Sequence, residues 1–135
     1  MRRPVGVWIV TAYFAITLTG TLISLGEFVG GELTLTPEQR AYFQSLGPVD
    51  YLGAASTLVL CGWAAIELFQ LHKRAVAILG VVLIMNLGAT AYQFLVTNWT
   101  DALGTAGLAS VAGGLSLLAI ILVYAVSLRR RGILT

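Results

Sequence analysis

Two patterns in the chain have residue types and spacing that could do chemistry. Asn86, Thr90, Gln93 and Thr97 recur at i, i+4, i+7 and i+11, so on a helix they form one narrow polar stripe inside an otherwise apolar run. Exposing carboxamides to hydrocarbon is costly. The stripe therefore belongs either against protein, as interhelical hydrogen bonds, or against water, as the lining of a solute path. The second pattern is Glu67, the one ionisable residue clearly inside an apolar run, about one helical turn before His72. From there its carboxylate can snorkel to lipid headgroups or meet Arg74, which shares its face at i+7. The functional alternative is a proton-coupled intramembrane acid.

Other reactive chemistry is not supported by the residue inventory. With one histidine and one cysteine, a single chain cannot assemble a zinc cluster. No nucleophile elbow, phosphate-binding loop or dinucleotide fingerprint occurs. His72 sits beside Lys73 in a short basic connection, where a solvated or headgroup-facing role fits better than catalysis or axial haem ligation. Cys61 lies within an apolar run and reads as a small buried side chain. The expectation is a non-enzymatic chain without cofactor or metal.

The elements that must position these residues are four apolar stretches, 4–26, 51–71, 75–99 and 102–128. Each is long enough to cross about 30 Å of hydrocarbon as a helix. They fill most of a 135-residue chain that is 58% hydrophobic and 10% charged, which leaves room for a single transmembrane domain over 1–135 and no soluble one. Seven of the eight basic residues (Arg2, Arg3, Lys73, Arg74, Arg129, Arg130, Arg131) lie at the two termini or in the second connection, and five of the six acids (Glu27, Glu32, Glu38, Asp50, Asp101) lie in the other two. By the positive-inside tendency both termini and the 72–74 turn are cytoplasmic. The net charge of +2 is thereby accounted for by topology, and no nucleic-acid partner is implied. Met1-Arg2-Arg3 before an apolar run also resembles a signal peptide. That run exceeds twenty residues and reaches Leu25-Gly26-Glu27 without a small-x-small cleavage site, so an uncut first span is expected.

Local signals refine the connections. In the outer loop, 27–50, Gly30-Gly31 is a flexible break, and Thr36-Pro37-Glu38-Gln39 reads as an N-cap, a proline at the first helical position and a capping-box glutamine. Tyr42, Phe43 and Leu46 follow at helical spacing, predicting a short amphipathic helix on the outer surface, closed by Gly47-Pro48 before Asp50 caps the second span. The 72–74 connection makes spans two and three a tight antiparallel hairpin, and Asn98-Trp99-Thr100-Asp101 makes an equally tight turn between spans three and four. Asn98-Trp99-Thr100 also matches a glycosylation sequon, but lies too near the bilayer to be a good acceptor.

Small or polar residues mark one face of every span, the third by its Asn86 to Thr97 stripe. Tyr13, Thr17, Gly20, Thr21 and Ser24 mark the first; Gly53, Thr57, Leu60, Ala64 and Glu67 the second; Gly107, Ser110 and Gly114 the fourth. Such faces let backbones approach closely, so the expected architecture is all-α: an antiparallel four-helix transmembrane bundle with small faces inward and bulky Leu, Ile and Val toward lipid.

Arg2-Arg3-Pro4-Val5-Gly6-Val7-Trp8-Ile9, the basic 72–74 turn and the tail Arg129 to Gly132 resemble those of many small bacterial inner-membrane proteins with four spans and a basic tail. The resemblance implies a bacterial inner-membrane setting and no activity. Small drug-proton exchangers share the four short spans, but carry their essential acid midway along the first, where this chain has Tyr13, Phe14 and Thr17. The functional expectation is an interaction protein whose partners are lipids and other transmembrane helices, in a homo-oligomer or a larger membrane complex; a small channel or transporter is the alternative.

Overall fold

A computed structural model describes residues 4–31, 34–96 and 99–134. Five helices follow in order: α1 (Val5–Gly30), α2 (Pro37–Ser45), α3 (Pro48–Phe69), α4 (Arg74–Val96) and α5 (Trp99–Arg130). Four contain a segment long and apolar enough to cross a membrane: Val5–Glu27, Pro48–Phe69, Arg74–Val96 and Gly107–Arg130. The fold class is therefore all-α, with one short helix among four long ones.

Helix ends are set by local chemistry. α1 runs past the expected stop at Gly26 because nothing breaks it before Gly31, whose φ of +74° is a left-handed terminus that glycine adopts without cost. At the start of α2 the Thr36 hydroxyl accepts from Gln39 N at 3.3 Å while the Gln39 side chain accepts from Thr36 N at 3.1 Å. Asp50 serves α3 similarly, its carboxylate accepting from Gly47 N at 2.8 Å. α5 departs from expectation. Its backbone breaks at Gly104 (φ 62°, ψ −174°), a conformation nearly restricted to glycine. The fourth apolar span therefore starts at Gly107, later than the 102 expected. α5 starts at Trp99, so Trp99 to Asp101 of the expected 98–101 turn are helical, and Asn98 lies outside the described residues.

The main helix contacts are α3 with α4, α4 with α5, α1 with α3, and α2 with α5. Buried apolar side chains come from the start of α1 (Val7, Phe14), the end of α3 (Ala64, Ala65, Leu68), the start of α4 (Ala75, Leu79) and the end of α5 (Ile121, Ala125, Leu128), with Leu134 beyond it. Consecutive long helices thus run in opposite senses. The core gathers at one end, next to Lys73, Arg74 and Arg129 to Arg131, called the basic end below. There α1 meets α5 closely: a Cβ added to Gly6 would overlap the Tyr124 hydroxyl. On the other side of α1, Trp8 stacks edge-on against Phe69 with ring centroids 5.1 Å apart.

Candidate functional site

The acid predicted at the end of the second span sits in a structured contact. α3 ends in a Schellman turn: Leu71 N donates to Leu68 O at 3.0 Å and His72 N to Glu67 O at 2.9 Å. The position that normally takes glycine is Leu71, at φ +63°, a conformation that costs a non-glycine residue about 1 kcal/mol or more. Leu71 is held there with its side chain packed against the core. The turn also puts His72 beside Glu67, where a hydrophobic contact commonly closes such motifs.

The Glu67 carboxylate is engaged on both oxygens. Trp63 Nε1, one turn earlier on α3, donates to Oε1 at 2.9 Å. His72 Nδ1 lies 2.7 Å from Oε2. An ionised carboxylate only accepts, so the imidazole carries its proton on Nδ1 when Glu67 is charged. Glu67 is buried, at 9% exposure, whereas His72 is about half exposed. The sequence pointed to headgroups or Arg74 as partners; the carboxylate is hydrogen-bonded by Trp63 and His72, and Arg74 acts on it through space. Trp63 to Glu67 is an i, i+4 step, and that spacing was the available signal for the indole donor.

The polar stripe of α4 continues the face that packs in the core. Ala75, Leu79, Val82, Asn86, Thr90 and Gln93 follow at steps of four, three, four, four and three, which keeps them on one side of a helix. The first three are buried and the last three half-buried. Thr97 lies outside the described residues. Asn86 Nδ2 donates to Val82 O of its own helix at 2.8 Å.

The small faces of α3 and α5 are arranged in the same way. Gly53 and Thr57 share a side of α3 with buried Ala64 and Leu68, and Gly107, Ser110 and Gly114 share a side of α5 with buried Ile121, Ala125 and Leu128. Away from the basic end these residues are less covered. Gly53, Ser110 and Gly114 are exposed, Thr57 and Gly107 half-buried, and a Cβ on Gly53 or Gly114 would meet nothing within 4 Å. On α1 the packed face runs Val7, Phe14, Leu18, with Leu18 set 3.7 Å from where a Gly62 Cβ would stand. Tyr13 and Thr21 flank that face half-buried, while Thr17, Gly20 and Ser24 are turned away and exposed. Among the described residues the four small faces thus do not all come together. The bulky residues do point outward, among them Ile16, Ile84, Leu95 and Val123.

Hydroxyls along the long helices are bonded to their own helix. Thr19, Thr21, Ser56, Thr57 and Ser116 each donate to the carbonyl four residues back at 2.7–3.0 Å. That local bond satisfies the donor, so these faces can meet lipid or another helix without an unpaired proton. Thr11 differs: its Oγ1 is buried with no hydrogen-bond partner among the described residues.

No known family, curated protein or solved structure matches the chain. The functional reading therefore rests on this geometry. Among the described residues no three His, Cys, Asp or Glu side chains come together as a metal site. The polar features divide between a fastened carboxylate at the basic end and open small and polar faces elsewhere.

Proposed function

We propose that this chain is a non-enzymatic membrane interaction protein, an accessory subunit of a larger membrane complex or a self-associating scaffold. In this reading its four long helices form an antiparallel bundle across a bacterial inner membrane, with both termini in the cytoplasm. One observation carries the proposal: the faces that pack at the basic end continue as small and polar residues that are not buried, Gly53, Ser110 and Gly114 exposed and Thr57 half-buried, and a Cβ on Gly53 or Gly114 would meet no described atom within 4 Å. Between membrane helices the gain comes from close contact, because lipid is as apolar as leucine. Small faces suit close contact with added helices, and the Thr57 hydroxyl already has a local acceptor in Gly53 O.

The test is the mass of the full-length protein after mild extraction from native membranes, with identification of stoichiometric companions. A homo-oligomer or a defined complex supports the proposal, and a monomer without companions contradicts it. Orientation is checked separately with cysteines placed at Glu38 and Thr135 and a membrane-impermeant thiol reagent in intact cells. Labelling at 38 alone is expected, and labelling at 135 would reverse the topology.

A channel or transporter is the second reading, favoured by the half-buried Asn86, Thr90 and Gln93 on the inward side of α4. Flux through wild-type liposomes, abolished by Asn86→Leu with Gln93→Leu without loss of assembly, would select it.

A further inference from the structure

We infer that the basic end is a binding surface for anionic phospholipid, held through the headgroup phosphate by Lys73, Arg74, Arg129, Arg130 and Arg131. The inference rests on the membrane placement of the chain and is independent of its interaction role. Arg74 precedes buried Ala75 and Arg129 follows buried Leu128, and both buried residues belong to one core cluster. The start of α4 and the end of α5 therefore carry their cations on a shared rim. All five of these basic side chains are exposed.

The end of α5 keeps the arginines on that rim. Gly132, at φ +71°, closes a second Schellman turn: Gly132 N donates to Arg129 O at 3.1 Å and Ile133 N to Leu128 O at 3.1 Å. Ile133 and Leu134 then return to the core, Leu134 being 1% exposed. The segment after Arg131 is thus anchored beneath the charged rim.

Among the described residues none of the five cations is in a salt bridge, and Glu67 interacts with Arg74 only through space. Glu67 is the acid at this end, and its two oxygens are occupied by Trp63 and His72. The one ion pair among the described residues is Glu67 with His72. Five like charges on one rim repel each other, and an anion shared between them relieves that repulsion. Phosphodiester groups are the anions concentrated at a membrane surface, and arginine clusters next to spans recognise them. Exposed Trp8, Ile9, Trp63 and Ile66 offer adjoining apolar surface to acyl chains.

The experiment uses the full-length protein with Trp99→Phe, which leaves Trp8 and Trp63 as reporters at the basic end. It is reconstituted in phosphatidylcholine vesicles carrying either brominated phosphatidylglycerol or brominated phosphatidylcholine, and tryptophan quenching gives the relative binding constant of the two lipids. A preference for phosphatidylglycerol of about fivefold or more is expected, the contribution of at least one surface cation, and it should weaken with salt. Arg129→Gln with Arg130→Gln and Arg131→Gln should remove most of it, and the same three positions as lysine should retain it. Lys73→Gln with Arg74→Gln provides the same comparison if the triple variant does not keep its helix content. Equal quenching by the two lipids in the parent protein overturns the inference, as does a preference unchanged in the glutamine variants. Loss of the preference in millimolar inorganic phosphate would identify free phosphate as the ligand and overturn the lipid assignment. A chain that has no protein companion but keeps the lipid preference removes the interaction proposal and leaves this one standing.

Discussion

At the basic end the facing sides of α3, α4 and α5 carry Ala64 and Leu68, Ala75 and Leu79, Ile121 and Ala125, all buried. Further along those same sides stand Gly53 and Thr57, Asn86 and Thr90, Ser110 and Gly114, none of them buried. Periodicity is unbroken between the two regions, but side-chain volume is not. Leucine and isoleucine span the gap between neighbouring helices, whereas glycine and serine leave it open unless the backbones close in. One region is therefore packed within the chain, and the other has surfaces that the described residues leave partly or fully open.

Leu68 and Leu79 are fully buried, so Leu79→Ala should break the completed region most severely. A loss of about 2 kcal/mol is expected, the low end for buried leucine because lipid replaces water as the reference solvent. Leu95→Ala, at an 82% exposed site in the open region, should change monomer stability by less than about 0.5 kcal/mol. Thermal unfolding in detergent at fixed monomeric state checks both, and equal effects would erase the distinction.

Glu67→Leu should come next. It leaves the Trp63 indole and the His72 ring without their acceptor, at a cost of about 1–3 kcal/mol. Glu67→Gln keeps an acceptor for Trp63 and should retain most of the stability and any activity. Trp63 emission and unfolding of the two variants, compared with wild type, check this. Complete loss of a proton-linked transport in a folded Glu67→Gln protein would instead make the carboxylate functional.

A glycine pair sharpens the contrast. Gly6→Ala must displace the Tyr124 ring and should destabilise the monomer, whereas Gly20→Ala meets open space and should gain about 0.5–1 kcal/mol from helix propensity. Unfolding of the monomer should shift in opposite directions for the two. Thr11→Val, which removes a buried hydroxyl lacking a partner, should be neutral or slightly stabilising.

The smallest expected effect concerns α2. Glu38 is held below the ordinary carboxylate range by a backbone hydrogen bond at the helix start and by the Thr36 hydroxyl. A depressed folded-state value means that its contribution is present above the usual glutamate range and is lost as pH falls through the lowered one. Amide protection in α2, taken relative to the intrinsic exchange rate at each pH, should therefore fall on acidification in wild type and respond less in Glu38→Gln.

Much of the local architecture was legible in the residues. Thr36, Pro37 and Gln39 announced α2 because capping is a short-range bargain between neighbours, and Asp50 marked the start of α3 for the same reason. The Gly104 break was not legible. It stands in a glycine-rich run with Gly107, Gly113 and Gly114, where glycine equally suits close packing. Leu71 was hidden because propensity assigns its left-handed site to glycine, and only the fold shows its side chain held by the core. With that turn unseen, Arg74 looked the better partner for Glu67. Spacing identified the inward face of α4 from Asn86 to Gln93, but spacing names a face and not what lies opposite it.

The central claim is that the open faces receive another protein's helices while the basic end does not. A photoreactive side chain placed one at a time at Gly20, Gly53 and Gly114, and at Ile66 and Trp8 near the basic end, tests it in native membranes. The account predicts defined protein adducts from the first three positions and lipid adducts alone from the other two. Lipid adducts alone at all five positions would contradict it.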